Sequence, residues 1–254
     1  MPDTVVMSDE RLDTVNEQIK LIQKKDGLTF GTDAFLLAAF IKQQKYSYAI
    51  ELGAGTGIIS LLCASAEKFK KIDCFEIQKD FCDVTKRNIE YNGLCGKVRV
   101  FNEDIRNISS SSLESEADVV FSNPPYMRTD SGKRNESDRK YIARHEVCGG
   151  IDDFCAAAYR ALKHGGKFYC VWRPDRLVGL LASMRANSLE PKTMVFVHGD
   201  ISSEPSMVLV SSVKGGAEGM KILSPLFLYD VNDTINKARK MTERAQKIYE
   251  TMSF

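Results

Sequence analysis

The sequence lacks long uncharged apolar stretches, and it has almost no excess of charge of either sign. Its longest uncharged apolar stretches, residues 35–41 and 58–66, are well short of the roughly 18 residues that indicate a membrane span. The 35 Lys and Arg residues nearly balance the 34 Asp and Glu residues, which leaves a net charge of +1. We therefore expect no membrane partner, and any surface that binds nucleic acid must be local.

The sequence also lacks the cysteine spacing of zinc sites and an apolar N-terminal segment. Its seven cysteines stand at positions 63, 74, 82, 95, 148, 155 and 170, with no two of them separated by only two residues, and its three histidines are scattered. We predict no metal site and free thiols in a reducing compartment.

The first twenty residues contain five acidic residues and no apolar run, unlike secretory and transit peptides. We expect a cytoplasmic protein.

Short apolar runs alternate with helical patterns along the chain. With 43% hydrophobic and 27% charged residues, the composition excludes collagen-like, disordered and coiled-coil classes. Strand-length runs rich in Val, Ile and Phe and flanked by helices are typical of parallel strands buried on both faces. The last two runs are joined by a short connection, which predicts an antiparallel hairpin at the sheet edge. We predict an α/β fold with a doubly wound seven-stranded sheet, mostly parallel, whose strands are residues 48–52, 72–75, 98–101, 117–121, 167–172, 193–197 and 207–211.

No linker divides the chain, so a single domain over residues 1–254 is predicted. Residues 1–45 form its N-terminal lead-in, residues 46–213 its catalytic core sheet, and residues 214–254 a C-terminal strand and helix. The capping side chains of residues 232–234 indicate where the final helix begins. Its basic side chains form either a solvent-facing surface or an RNA contact, and its predicted buried face comprises Ile235, Ala238, Met241, Ala245, Ile248 and Met252.

The segment from Glu51 to Ile58, Glu-Leu-Gly-Ala-Gly-Thr-Gly-Ile, lies between a predicted strand and a predicted helix. Glycines permit positive φ and close approach of a ligand, and the free amides of a helix start favour electron-rich groups. A nucleotide phosphate would need a Gly-Lys-Ser/Thr ending, and a dinucleotide would need Gly or Ala where Ile58 stands. Glu51 would repel pyrophosphate but suits a cationic ligand. S-adenosylmethionine, bound at Glu51, Gly53, Gly55 and Gly57, is therefore favoured.

Two further acidic residues follow the next two predicted strands. Glu76 closes the second strand, where a carboxylate can accept hydrogen bonds from both ribose hydroxyls of a nucleoside. Asp104 ends the third strand, where it could accept a hydrogen bond from an adenine amino group. Open α/β sheets bind ligands at the carboxyl ends of their strands, so we expect both residues to contact the same cofactor as the glycine turn.

An Asn-Pro-Pro-Tyr segment, residues 123–126, ends the fourth predicted strand. An amino group conjugated to a base or carbonyl is a poor nucleophile, so a catalyst must hold it and favour a pyramidal nitrogen. Asn123 offers a side-chain carbonyl, and Pro124 offers a main-chain carbonyl whose direction is restricted. Tyr126 can stack on a planar substrate. These residues predict methyl transfer to a planar NH2 by positioning and electrostatics, without a catalytic histidine.

With these motifs the chain resembles the class I, Rossmann-like methyltransferases. More narrowly, it resembles the tRNA (adenine-N6) methyltransferases that modify an adenosine in the anticodon loop of a valine tRNA. The narrower resemblance rests on residues 30–37, 143–146 and 224–226 in addition to the two central motifs. It implies S-adenosylmethionine contacts at Gly53, Gly55, Gly57, Glu76 and Asp104, and target-amine contacts at Asn123, Pro124 and Tyr126. Thr32 and Asp33 are expected only to cap the following helix.

Residues 127–146 are locally basic and lie between the Asn-Pro-Pro-Tyr segment and the next helix. A charged loop beside a base pocket suits RNA phosphates, although an ordinary solvated loop is the alternative. We predict tRNA contacts by Arg128, Lys133, Arg134, Arg139, Lys140 and Arg144.

The favoured function is methylation of an adenine amino group in a tRNA anticodon loop by a monomeric enzyme. A glutamine-amide methyltransferase acting on a release factor would use the same Asn-Pro-Pro-Tyr chemistry. The basic loop, the basic last helix and the lack of a separate N-terminal helical domain favour RNA. A non-catalytic adaptor that binds S-adenosylmethionine and a dehydrogenase are weaker alternatives.

Overall fold

A computed structural model describes residues 6–25, 30–109, 111, 113–125, 149–230 and 240–254. Within these ranges no helix is long and apolar enough to cross a membrane. The elements in chain order are β1 (Glu10–Thr14), β2 (Lys20–Lys24), α1 (Thr32–Phe40), β3 (Tyr48–Leu52), α2 (Ile58–Ser65), β4 (Lys71–Glu76), α3 (Lys79–Tyr91), β5 (Val98–Asn102), β6 (Ala117–Ser122), α4 (Ile151–Ala161), β7 (Leu162–Trp172), α5 (Leu177–Ala186), β8 (Leu189–His198), β9 (Pro205–Lys214), β10 (Lys221–Ile222), β11 (Leu226–Phe227) and α6 (Glu243–Thr251).

The central sheet has the order β10-β8-β9-β7-β6-β3-β4-β5, and β11 also pairs with β8. Strands β3 to β7 pair in parallel, whereas β9 is antiparallel to both β7 and β8. The predicted doubly wound, mostly parallel α/β sheet and its antiparallel hairpin are confirmed. Because the strand order reverses beside β3, the ends of β3 and β6 flank the crevice where such sheets bind ligands.

The prediction of seven strands was wrong for the described residues, because the sheet there contains nine. All seven expected strands are present, and the additions are β10 and β11, which pair in parallel with the outer side of β8. Each is two residues long, too short to show an alternating apolar pattern in the sequence. The hairpin β8–β9 is therefore not the outermost part of the sheet.

Two apolar clusters cover the two faces of the sheet. One includes Leu36 of α1, Leu61 of α2 and Ile89 of α3, and the other includes Phe154 of α4 and Leu180 of α5. Strands that are covered by helices on both faces are apolar along most of their length, which explains their nearly continuous apolar runs. The helices leave the carboxyl ends of the strands as the edge where polar residues gather.

A separate two-stranded hairpin, β1–β2, precedes the sheet and was not anticipated. It is attached to α3, because Asn88 Oδ1 accepts a hydrogen bond from the Ile22 amide at 2.7 Å and Asn88 Nδ2 donates to the Thr56 carbonyl at 3.0 Å. Arg87 forms a paired contact with the buried Glu10 at 2.6 and 2.7 Å, and this contact lowers the pKa of Glu10 to about 2. Asn88 thus links the N-terminal residues to the glycine turn.

The final helix begins later than predicted. Met241 forms an antiparallel bridge with Tyr229, and α6 starts after Thr242, whose Oγ1 accepts a hydrogen bond from the Ala245 amide at 3.2 Å. The expected helical placement of Met241 was therefore wrong, because backbone pairing holds that segment extended. The expected helix start at residues 232–234 lies outside the described residues. The predicted burial of Ala245, Ile248 and Met252 is confirmed.

Candidate functional site

The parallel strands bring the predicted site residues in the described range to one edge of the sheet. Leu52 is in register with Phe75 of β4, Glu76 with Asn102 of β5, and Glu51 with Phe121 of β6. The residues that follow these strands therefore lie side by side. Predicted contacts at Tyr126 and at the six basic residues from Arg128 to Arg144 lie outside the described residues.

The glycine turn is bound to the neighbouring strand and leaves one side open. The amides of Gly53 and Ala54 donate to the Phe75 carbonyl at 2.9 and 3.1 Å. Gly55 and Gly57 have φ values of +56° and +79°, which side chains disfavour. A Cβ at Gly57 would lie 2.7 Å from Cγ2 of Thr85, whereas one at Gly55 would meet nothing within 4 Å. The turn is packed on the protein at Gly57 and open to a ligand at Gly55.

Glu76 is buried behind this turn. One of its oxygens accepts a hydrogen bond from the Gly55 amide and the other from the Gln78 amide, each at 2.8 Å. Burial raises the pKa of Glu76, although these backbone donors oppose the rise. A carboxylate oxygen has a second lone pair, so both oxygens can still accept a hydroxyl. This arrangement fits the ribose of a nucleoside cofactor.

Asp104 lies beyond β5 and is paired with a neighbouring arginine. Its carboxylate accepts hydrogen bonds from the backbone amide and the guanidinium of Arg106, the latter at 2.5 Å, and this contact lowers the pKa of Asp104. An adenine amino group would have to share the carboxylate with Arg106. Its predicted contact with the cofactor stays a prediction.

Glu51 lies beneath the first turn of α2 and is only 1% exposed. Its Oε2 accepts hydrogen bonds from the backbone amide of Ser60 at 3.1 Å and from the Ser60 hydroxyl. Burial raises the pKa of Glu51 to about 8, so the group is largely uncharged at neutral pH. These surroundings do not support the expected attraction between an anionic Glu51 and a cationic ligand. Its direct contact with a cofactor stays a prediction.

Asn123 follows β6 and contacts the first turn of α1. Its Nδ2 donates to Oδ2 of Asp33 at 2.8 Å, across 90 positions of sequence. Just before it, the Ser122 hydroxyl donates to the Leu52 carbonyl at 2.7 Å, which joins the ends of β6 and β3. Pro124 is buried. The amide of Asn123 is thus held beside the glycine turn with its nitrogen on the Asp33 side.

Sequence reasoning missed Asp33, Ser60 and Thr85. Asp33 was expected to be only a capping residue, yet no side-chain cap bond is formed at the start of α1, whose N-cap is Gly31. Thr85 Oγ1 donates to the Gly55 carbonyl at 2.6 Å, and Ser60 binds the buried Glu51. The sequence contains no local signal for these contacts, since each joins separate elements.

A cavity of about 790 Å³ opens beside Asp33. Its size falls in the range of small-molecule sites, which is roughly 300–1,000 Å³. It lies where α1 begins, β7 ends and β9 begins, and it is lined by Thr32, Asp33, Trp172, Arg173, Pro174, Asp175, Glu204, Pro205, Ser206 and Met207. In the described part of the chain, no group of three or more His, Cys, Asp or Glu side chains is arranged to hold a metal ion.

Comparisons with known proteins agree with this architecture. The sequence model described as "Methyltransferase small domain" matches residues 24–181. A tRNA1(Val) (adenine(37)-N6)-methyltransferase of Phocaeicola vulgatus is 29% identical over 195 residues, which cover 77% of this chain and 81% of that protein. A Bacteroides fragilis protein with the same name is 24% identical over 219 residues, which cover 85% of this chain and 91% of that protein.

Solved structures show the same fold at low sequence identity. A protein of Agrobacterium tumefaciens described as a predicted O-methyltransferase superposes with a TM-score of 0.67 at 18% identity, covering 87% of this chain and 97% of that chain. TYW2 from M. jannaschii, solved in complex with AdoMet, superposes with a TM-score of 0.55 at 14% identity. The superposition covers 81% of this chain and 85% of that chain. This chain therefore shares its fold with these two solved structures.

Proposed function

The chain belongs to the methyltransferase small domain family, and we propose that it methylates the exocyclic amino group of an adenine in a tRNA anticodon loop. The names of the Phocaeicola vulgatus and Bacteroides fragilis relatives support this substrate. The observation that carries the proposal is the position of Asn123. It lies on the same sheet edge as the glycine turn, and Asp33 holds its amide nitrogen at 2.8 Å.

S-adenosylmethionine supplies the electrophilic methyl group when it is bound. The open side of Gly55 is where we place the cofactor, between Gly53 and Gly57. Glu76 would accept the ribose hydroxyls through the lone pairs that its two backbone contacts leave over. Asp104 would accept the adenine amino group.

The target amine would be held by the side-chain oxygen of Asn123 and the main-chain oxygen of Pro124. Two acceptors draw the amine hydrogens out of the plane of the base, which returns the lone pair to the nitrogen and makes it a better nucleophile. Tyr126 would stack on the base. The extra proton of the methylated nitrogen leaves afterwards to water, because that nitrogen is then strongly acidic.

The substrate RNA would be bound through its phosphates. We assign these contacts to Arg128, Lys133, Arg134, Arg139, Lys140 and Arg144. A base in an RNA loop is unpaired, so it can be turned into a pocket at small energetic cost. We also propose that the protein is cytoplasmic, because the six cysteines in the described residues are free thiols and five of them are buried. We further propose that it acts as a monomer.

The test is methyl transfer from labelled S-adenosylmethionine into total tRNA and, separately, into release factors. We expect label in tRNA, at an anticodon-loop adenine, and none in the protein fraction. Asn123→Ala should abolish transfer and leave cofactor affinity, measured by calorimetry, nearly intact. Label confined to release factors would contradict the substrate, and equal loss of transfer and cofactor binding would contradict the role of Asn123.

A further inference from the structure

We infer that Asp33 is a positioning residue, which orients the Asn123 amide so that its oxygen, and not its nitrogen, faces the target amine. This inference rests on the proposed function. It is carried by the hydrogen bond from Asn123 Nδ2 to Asp33 Oδ2, which is 2.8 Å long and partly buried.

The chemistry of the two groups determines the orientation. An ionised carboxylate has only acceptors, whereas an amide has a donor nitrogen on one side and an acceptor oxygen on the other. The amide must therefore turn its nitrogen to Asp33, and its oxygen takes the opposite side. The side-chain torsion that exchanges the two positions is broad and roughly two-fold, so the Asn123 backbone alone does not select one of them. In the exchanged orientation, the amide would present N–H groups to an amine that also donates N–H groups.

Asp33 is itself held on a rigid support. It lies in the first turn of α1, where the helix dipole stabilises a negative charge. A Cβ on Gly31 would lie 2.6 Å from Oδ1 of Asp33, so the carboxylate folds back over this glycine. At the other end of α1, the buried Lys68 ammonium donates to the carbonyls of Ala38 at 2.7 Å and Ala39 at 3.2 Å. Residues 34–40 between these ends are all buried.

Asp33 also lines the 790 Å³ cavity, together with Thr32. The Asn123 amide nitrogen donates a hydrogen bond to Asp33, and the Asn123 amide oxygen would accept one from the substrate amine. Asp33 therefore acts on the reaction only through Asn123. Its loss should therefore lower the rate of the chemical step more than the affinity for either substrate.

The test compares Asp33→Ala and Asp33→Asn with the wild-type chain and with the control variant Asp80→Ala. Asp80 is an exposed aspartate in the first turn of α3, so its replacement also removes a negative charge from a helix start. In Asp33→Ala we expect kcat for tRNA to fall by about 10- to 100-fold, as for other small misplacements of a reacting group. The KM for tRNA and the affinity for S-adenosylmethionine should change little. Asp33→Asn should retain much of the activity, because its side-chain oxygen can still accept from Asn123, and Asp80→Ala should match wild type.

A double variant that exchanges the two side chains distinguishes a loss of amide orientation from a loss of folding. Asn123→Asp alone places two carboxylates against each other and should be nearly inactive. When Asp33→Asn is added, the amide at position 33 donates a hydrogen bond to the carboxylate at position 123. This double variant should be more active than Asn123→Asp. The inference is overturned if Asp33→Ala keeps its kcat, if Asp33→Asn is as impaired as Asp33→Ala, or if the double variant is no better than Asn123→Asp.

A readout without turnover distinguishes this inference from the proposed function. In 15N-labelled protein, the Asn123 side-chain amide, assigned by its loss in Asn123→Ala, should shift in Asp33→Ala and remain close to its wild-type position in Asp80→Ala. A shift in Asp33→Ala together with no methylation of tRNA by the wild-type chain would contradict the proposed substrate and support the orientation. An unshifted Asn123 amide would contradict the orientation whatever the substrate.

Discussion

Glu51→Gln should change how the stability of the protein depends on pH. The Glu51 carboxyl is buried under α2, and burial raises its pKa from an ordinary value of 4.5 to about 8. Between these pH values the folded chain keeps this proton and the unfolded chain releases it. The folded state binds more protons in this range, so the free energy of unfolding falls as the pH rises from about 4.5 to about 8 and is constant above that.

The size of the effect follows from the two pKa values. A tenfold difference in proton affinity corresponds to about 1.4 kcal/mol, so the wild-type chain should lose on the order of 5 kcal/mol of stability from this group across the range. Glutamine resembles the protonated carboxyl and its oxygen can still accept hydrogen bonds from Ser60. The variant should therefore lack this loss and gain stability relative to wild type as the pH rises.

The assay is denaturant unfolding of wild type and Glu51→Gln at intervals from pH 5 to pH 9. Glu10→Gln is the matched control, because the Arg87 contact lowers the pKa of Glu10 to about 2. Glu10 contributes its full stability above its ordinary pKa of 4.5 and loses it progressively as the pH falls from about 4.5 to about 2, so its variant should differ from wild type by a nearly constant amount above pH 6. A difference between wild type and Glu51→Gln that stays constant from pH 5 to pH 9 would refute a protonated Glu51 in the folded chain.

Three further outcomes are expected. Gly57→Ala should weaken S-adenosylmethionine binding in calorimetry and lower stability by about 1–3 kcal/mol, because a side chain there combines φ +79° with a contact 2.7 Å from Thr85; unchanged binding would show that the turn adapts. Tyr249→Ala should lower the melting temperature and leave cofactor affinity intact, since its ring stacks on Phe35 of α1 at 4.2 Å between centroids; an unchanged melting temperature would contradict a stabilising α1–α6 contact. Reversing the charges of Arg134 and Arg139 should weaken tRNA binding and flatten its dependence on salt, and equal affinity at every salt concentration would place the RNA site elsewhere.

Each fold feature that the sequence predicted has a local cause. Runs such as residues 48–52 and 117–121 are mostly apolar because helices cover both faces of their strands, and this leaves a readable pattern. The places of the outermost strands and of the last helix were missed, because these features have no local pattern. Strands β10 and β11 are two residues long, and the start of α6 is moved to Thr242 by backbone pairing between Met241 and Tyr229.

The same distinction applies to the candidate site. The glycine turn, Glu76 and Asn123 could be placed from the sequence, because the carboxyl ends of parallel strands in one sheet lie along the same edge. The protonation of Glu51 could not be predicted from the sequence, since it depends on burial under α2. The pairing of Asp104 with Arg106 also depends on side-chain geometry that spacing does not reveal.

By itself, the sequence determined the seven longer strands of the central sheet, the position of the glycine turn and the residue types at the strand ends, because each of these depends on neighbours within a few positions. Only the tertiary structure decided which of these residues meet. Asp33 and Asn123 are 90 positions apart, and they come within 2.8 Å because the packing of α1 against the sheet brings its first turn to the end of β6. A hydrogen bond between distant elements depends on that packing, and no spacing along the chain encodes it.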